Sequence, residues 1–172
     1  MTIAPVIQTD RLRLRPHRAE DFEAWAAFLA SDRSVHMGGP YSRKDAWYFF
    51  AAEVGEWPLY GYGAWAVEMA DTGKFVGQVS VSKPDDYPEL ELGWAVLDTF
   101  EGQGIAYEAA IAARGFAFDT LGRPSIVSYI DPENTRSIRL AERLGAEQDL
   151  DAPGQDATDL VYRHWAAARG QA

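Results

Sequence analysis

The apolar residues change period several times along the chain, and each change marks an element. Thr9 to Arg15 (TDRLRLR) alternates, with Leu12 and Leu14 on one face and Arg11, Arg13 and Arg15 on the other, and Pro16 closes the run. That pattern predicts a half-buried strand. Phe22, Trp25, Ala26 and Leu29 then recur at helical spacing behind an acidic first turn, Glu20 and Asp21. Ser42 with Asp45 three residues on reads as a capping-box start. The helix behind it is expected to turn Ala46, Trp47, Phe50, Val54 and Trp57 inward. The intervening VHMGGPYS, with Gly38, Gly39 and Pro40, must be irregular. So must WPLYGYG, which leads into a strand at Ala64 to Met69.

Asp71-Thr72-Gly73-Lys74 reads as a hairpin turn into a second strand, Phe75 to Ser82. After KPDDYPE comes a strand from Leu90 to Leu97, then an Ala-rich helix from Ile105 that Gly122 terminates. Ile126 to Ile130 is a short β-rich run. Asn134 to Leu144 is helical and stopped by Gly145, and Thr158 to Trp165 reads as a final strand. The early strands need only hairpins or helical excursions between them. Leu90–Leu97, its helix and Ile126–Ile130 form a βαβ unit, whose strands should run parallel. The expected fold is α/β in the α+β sense: a mixed, mostly antiparallel sheet with one parallel βαβ unit and flanking helices.

The 172 residues fit one domain, and the 47% hydrophobic and 24% charged fractions exclude a disordered chain. Zero cysteines exclude a disulfide framework, a Cys-based zinc site and a Cys nucleophile together. His17, His36 and His164 lie far apart and form no HxxxH pair, so no metal is expected. The N-terminal MTIAPVIQTDRLRLR lacks a signal-peptide apolar run, and no stretch approaches a membrane span. A soluble, cytoplasmic protein is expected. A net charge of −10 argues against nucleic acid as the main partner and suits a cationic small molecule or basic peptide. It also suits a surface charged for solubility alone.

The informative feature is the strand-to-helix junction Phe100-Glu101-Gly102-Gln103-Gly104-Ile105-Ala106. Two glycines there let backbone N–H groups converge, and the helix N-terminus adds about half a positive charge. The product is a phosphate cradle made of backbone. A Walker A loop fails because no Lys follows Gly104. A dinucleotide fingerprint fits poorly: Tyr107 occupies its third small position, although Asp131 imitates the ribose-binding acid. A ligand-free βα turn is the plain alternative. Along Leu90–Leu97, Leu90, Leu92, Trp94 and Val96 share one face, while Glu91, Gly93 and Ala95 share the other. That second face is small and carries one carboxylate, which suits a slot for a ligand arm. Close helix packing over Gly93 and Ala95 is the bland equivalent. Between Phe100 and Gly145 six acids meet five arginines, whereas the remainder carries twenty acids against eleven bases.

Taken with TDRLRLRP, ELGWAV, GQGIAYEA and ENTRSIRLAERLGA, this chain resembles the GNAT N-acetyltransferase superfamily over roughly Gln8 to Trp165. The nearest group is the ribosomal-protein-alanine N-acetyltransferases. The resemblance implies acetyl-CoA as cosubstrate and an amine acceptor, either a small molecule or a protein N-terminus. It implies a diphosphate on the amides of Gly102, Gln103, Gly104, Ile105 and Ala106. The pantetheine arm would lie along the backbone of Trp94, Ala95, Val96 and Leu97, with Asn134 touching it and Ser137 near the sulfur. Asn134 as a plain helix N-cap and Ser137 as a polar first-turn residue remain open, and capping and ligand contact can coexist. Monomer and homodimer both fit the resemblance.

Two departures stand out. Glu101 occupies a position where the superfamily usually has Gln or Arg, and an acid beside a diphosphate is unfavourable. Ala141 replaces the tyrosine with which many members protonate the leaving thiolate, leaving Ser137 or water for that role. Transfer is expected to be direct, without a covalent enzyme intermediate. An amine attacks only when neutral: at pH 7 deprotonation costs about 1.4 kcal/mol for an α-amine of pKa ~8 and about 4.6 for a lysine-like amine of pKa ~10.4. Glu91 is the favoured base and Glu68 a second candidate, which tips the reading toward a low-pKa amine. The acceptor site is expected under Val35–Ser42 and Trp57–Trp65, bordered by the five carboxylates between Glu147 and Asp159. A non-catalytic acyl-CoA sensor and, less closely, a dinucleotide-binding domain are the competing functions.

Overall fold

The computed structural model describes residues 3–166. Eight strands form one sheet in the order β1-β2-β3-β4-β5-β6-β8-β7: β1 (Ile7–Gln8), β2 (Leu12–Arg15), β3 (Gly63–Met69), β4 (Phe75–Ser82), β5 (Glu91–Val96), β6 (Ser125–Ile130), β7 (Glu147–Gln148) and β8 (Leu160–Trp165). Every neighbouring pair is antiparallel except β5 and β6. The helices are α1 (Asp21–Leu29), α2 (Arg43–Tyr60), α3 (Ile105–Gly115) and α4 (Thr135–Arg143). The mixed, mostly antiparallel sheet expected from the sequence is therefore present, with its parallel βαβ unit in the expected place. No helix among the described residues is long and apolar enough to cross a membrane.

The two sheet faces have different chemistry. Leu12, Leu14, Trp65, Val67, Val79, Val81, Leu90 and Leu92 join α3 through Ile105, Ala109, Ala110 and Ala113 in a closed apolar core. Phe116 meets Trp57 and Trp65 edge-on there, at 5.7 and 5.1 Å between centroids. The alanines of α3 let helix and sheet approach closely, which is why that segment is Ala-rich. The opposite face is covered by α1 and α2 through Trp25, Leu29, Ala46 and Phe50. Trp47, expected inward, is instead 49% exposed and meets Phe22 and Phe50 from the rim.

The first strand departs from the expected run. Thr9 to Arg11 form a turn between β1 and β2, because Thr9 Oγ1 accepts from the Leu12 N–H at 3.0 Å and donates to Glu108 at 2.6 Å. The arginine face is only partly solvated: Arg11 and Arg13 are partly exposed, Arg15 is not. Arg15 is 4% exposed and lies between Asp21 (2.7 Å) and Glu68 (2.5 Å). Glu68, a candidate base in the sequence, is occupied by Arg15 and by Arg13 at 3.0 Å, so it is a structural anion. Burial pushes the Asp21 carboxyl up, but the Arg15, His17 and Arg18 contacts outweigh it and hold the group well below the carboxylate range. A depressed carboxyl stabilises the fold above its unfolded pKa of about 4, and that contribution is lost as pH falls.

Arg15→Met would leave the buried Asp21 without its arginine and Glu68 with Arg13 alone. The expected loss is about 3–5 kcal/mol of unfolding free energy, read by urea titration at pH 7. A loss below about 1 kcal/mol would show that the network contributes little.

Candidate active site

Strand β5 is bonded to β4 along all six of its residues, but to β6 at the single register pair Glu91–Val127. Beyond that pair the two parallel strands diverge. Only the Ser128 hydroxyl reaches back across, donating to the Leu92 carbonyl at 2.6 Å. The divergence leaves an unpaired backbone edge from Gly93 to Val96, where an extended chain can add as a strand. Two cavities, of about 650 and 640 Å3, open on either side of this gap. Both are lined by Trp94, Asn134, Ser137, His36 and Met37, so they meet at the divergence.

The smaller cavity holds the glycine loop. Gly102, Gly104, Ile105 and Ala106 line it together with Val96. Gly102 and Gly104 have φ of 70° and 77°, a left-handed backbone that a side chain would strain. No side chain caps α3, leaving its first-turn N–H groups directed at the cavity. Gln103 lies outside the lining, with its carbonyl accepting from Arg11 at 2.9 Å. Leu97 is also outside, its N–H bonded to Val76 at 2.9 Å. Glu101 is bridged by Arg33 (2.6 Å) and by Arg136, and the Arg33 contact foremost holds its carboxyl below the usual range. The acid beside the cradle is thus neutralised by two arginines, and Arg33, Arg136, Arg139 and Arg143 all line the same cavity. These residues fit a diphosphate.

Asn134 caps α4: its Oδ1 accepts from the Ser137 N–H at 3.2 Å. The Ser137 hydroxyl in turn accepts from the Trp94 indole N–H at 3.3 Å. An indole N–H can only donate, so this contact occupies a lone pair of Ser137 and leaves its own proton for another acceptor. Trp94, expected to offer only its backbone, thus brings its indole to the gap as a further functional group. Ala141 is fully buried behind this point, in the cluster of Ile130, Ala146 and Tyr162.

The larger cavity has a polar floor. Gln78, Ser80 and Ser82 on β4 stand in register with Ala95, Gly93 and Glu91 on β5, and all three β4 side chains are buried. A Cβ on Gly93 would come within 2.8 Å of Ser80 Oγ, so the absent side chain makes room for that hydroxyl, and the Glu91 carboxyl leans over the same rung with Oε2 3.9 Å from that position. Burial raises the Glu91 carboxyl to about 7, with the charges of Asp159 and Glu56 adding and the Tyr129 backbone N–H opposing. Across the cavity α2 presents Phe49, Glu53 and Glu56. Burial lifts Glu53 to about 8, against the Gln78 amide that donates to it at 2.7 Å. Burial likewise lifts Glu56 to about 7, against the Lys83 N–H at 3.2 Å.

Of the expected acceptor border, His36, Met37, Gly38, Tyr41, Tyr60, Gln155, Asp156 and Asp159 do line this space. Trp57 and Trp65 do not; both are core. Sequence reasoning missed Glu53 and Glu56, although Phe49, Glu53, Glu56 and Tyr60 fall on one helical stripe at i, i+4, i+7 and i+11. It also gave no role to His36, whose Nδ1 lies 2.8 Å from Asp131 on the wall between the cavities. No group of three or more His, Asp or Glu among the described residues is arranged to hold a metal ion.

Known proteins share this geometry. Residues 11–147 match the family described as Acetyltransferase (GNAT) domain. The crystal structure of an acetyltransferase from Agrobacterium tumefaciens str. C58 superposes with a TM-score of 0.92 at 42% identity, covering 95% of each chain. A Vibrio cholerae structure, provisionally named a ribosomal-protein-serine acetyltransferase, gives 0.77 at 25% identity over 96% of this chain and 100% of that one. The uncharacterized protein YkkB of Bacillus subtilis (strain 168) is 28% identical over 80% of this chain and 82% of its own. Matched over most of its length by that family and by solved acetyltransferases, this chain belongs to the GNAT acetyltransferase family and is an N-acetyltransferase.

Proposed function

We propose that the enzyme transfers acetyl from acetyl-CoA directly to a primary amine within a ternary complex. The observation that carries this reading is the meeting of the two cavities at Trp94, Asn134 and Ser137. One cavity offers uncapped amides and arginines, the other a carboxylate near neutrality, and the joint holds a hydroxyl with its proton available. When bound, acetyl-CoA supplies an acyl group activated as a thioester.

The chain's own residues do the rest. Amides of Gly102, Gly104, Ile105 and Ala106 hold the diphosphate at the α3 N-terminus. The open edge of β5 pairs with the pantetheine arm, and Asn134 borders that arm while fixing the first turn of α4. Glu91 takes a proton from the incoming ammonium, directly or through one water, at the carboxylate that leans over Gly93. A base of pKa about 7 is half ionised at neutral pH and strong enough for a low-pKa amine. Ser137 Oγ gives its proton to the departing thiolate, held in orientation by the Trp94 indole. A non-catalytic acyl-CoA sensor would need neither the perturbed Glu91 nor the donor-ready Ser137.

At saturating substrates, kcat is expected to rise with pH to a break near 7. Glu91→Gln should remove that break and lower kcat at pH 8 by about 10²–10⁴-fold. An unchanged profile would remove Glu91 from the mechanism. On the diphosphate side, Arg33→Ala leaves Glu101 half-neutralised, and acetyl-CoA binding measured by calorimetry should weaken about tenfold, ~1.4 kcal/mol. Adding Glu101→Ala to that variant should restore most of the loss; no restoration would mean that Arg33 acts on the ligand and not through Glu101.

A further inference from the structure

Of the four buried polar atoms without a partner on residues lining the acceptor cavity, one is a donor, the Trp25 indole N–H, and three are acceptors. Glu53 Oε2, Glu56 Oε2 and Gln78 Oε1 are buried acceptors without a donor, and all three residues line the cavity. Glu56 and Gln78 are only 8% and 6% exposed. Their remaining polar atoms are already used: Gln78 Nε2 donates to Glu53 Oε1, and Glu56 Oε1 accepts from the Lys83 backbone. A pocket of unanswered acceptors fits a ligand that brings N–H donors. The charge points the same way. Eight carboxylates line the space, and Lys83 is the one lysine or arginine among the described residues lining it.

Two of the acceptors, Glu53 and Gln78, are bonded to each other and set apart from the proposed base, whereas Glu56, held by the Lys83 N–H beside Ser82, lies toward the Glu91 end. Gln78 stands opposite Ala95, whereas the Glu91 carboxyl leans over Gly93, one rung away on the same face. Two residues of extended strand, at ~3.4 Å each, set those positions about 7 Å apart. We propose that the acceptor carries two cationic nitrogens: an amine that reacts beside Glu91, and a second ammonium held by Glu53 and Gln78. The substrate class is an aliphatic diamine. The assignment rests on the acetyltransferase reading for which end reacts, but not for the existence of the cation subsite. Phe49 and Tyr41, stacked at a tilt 5.5 Å apart, line the same cavity and supply an apolar wall for the connecting methylenes.

The test is equilibrium binding, which needs no turnover. The protein, with and without saturating CoA, is titrated calorimetrically at pH 8.5 with 1,5-diaminopentane and with pentylamine. At that pH the cavity carboxylates are largely ionised and both amines are charged. The diamine is expected to bind at least 30-fold more tightly. In Glu53→Gln, with its melting temperature as the check on folding, the preference should shrink to within threefold. Gln78→Leu provides a second reading of the same subsite. Equal binding of the two amines, binding of neither, or a preference that survives both substitutions overturns the subsite. Failure of the acetyltransferase reading looks different: no thiol release from acetyl-CoA with either amine, while the diamine preference persists.

Discussion

The structure depends on one broken pairing. Two parallel strands that start together at Glu91 and Val127 should continue bonding; here they separate, and β5 keeps all its hydrogen bonds to β4 instead. Unpaired backbone inside a sheet is costly unless something answers it. The divergence is wedged by Trp94, which packs on the main core and on the small cluster of Ile130 and Ala141. The same separation opens a passage through the sheet, so a ligand entering on the α3 side reaches groups on the α2 side. Everything proposed for catalysis is a consequence of that passage.

Charge is partitioned around it. The chain is strongly acidic, yet the glycine-loop side gathers Arg33, Arg136, Arg139 and Arg143 against Asp32, Glu101 and Glu133, and Glu101, the acid in the loop itself, is tied to two of the arginines. The α2 side gathers carboxylates that burial holds near neutrality. Such a partition would draw the anionic cosubstrate and the cationic acceptor proposed above to opposite mouths of one passage, and disfavour each at the other. The buried Arg15–Asp21–Glu68 network is purely structural. It ties β2 and β3 to the start of α1, away from both cavities.

Much of this was legible in the sequence because it is written in local chemistry. The βαβ unit follows from two β-rich runs around an Ala-rich helix; the cradle follows from Gly102 and Gly104; Asn134 reads as a cap. The face carrying Glu91, Gly93 and Ala95 follows from alternation alone. What was hidden depends on contacts between distant segments. Alternation makes Gln78, Ser80 and Ser82 a polar face but cannot distinguish solvent from a cavity floor. Arg15 looks like its solvated neighbours until Glu68 arrives from β3. Glu101 looks unfavourable until Arg33, from the segment between α1 and α2, reaches it. Glu53 and Glu56 look like ordinary helix surface, and only the strands opposite turn them into a wall.

A crystal structure with CoA bound would probe the passage itself. The diphosphate is expected on the amides of Gly102, Gly104, Ile105 and Ala106, with the pantetheine arm bonded along the open edge of β5 and the thiol within hydrogen-bond reach of Ser137. CoA bound elsewhere, or with its arm outside the gap between β5 and β6, would contradict the passage and the chemistry built on it.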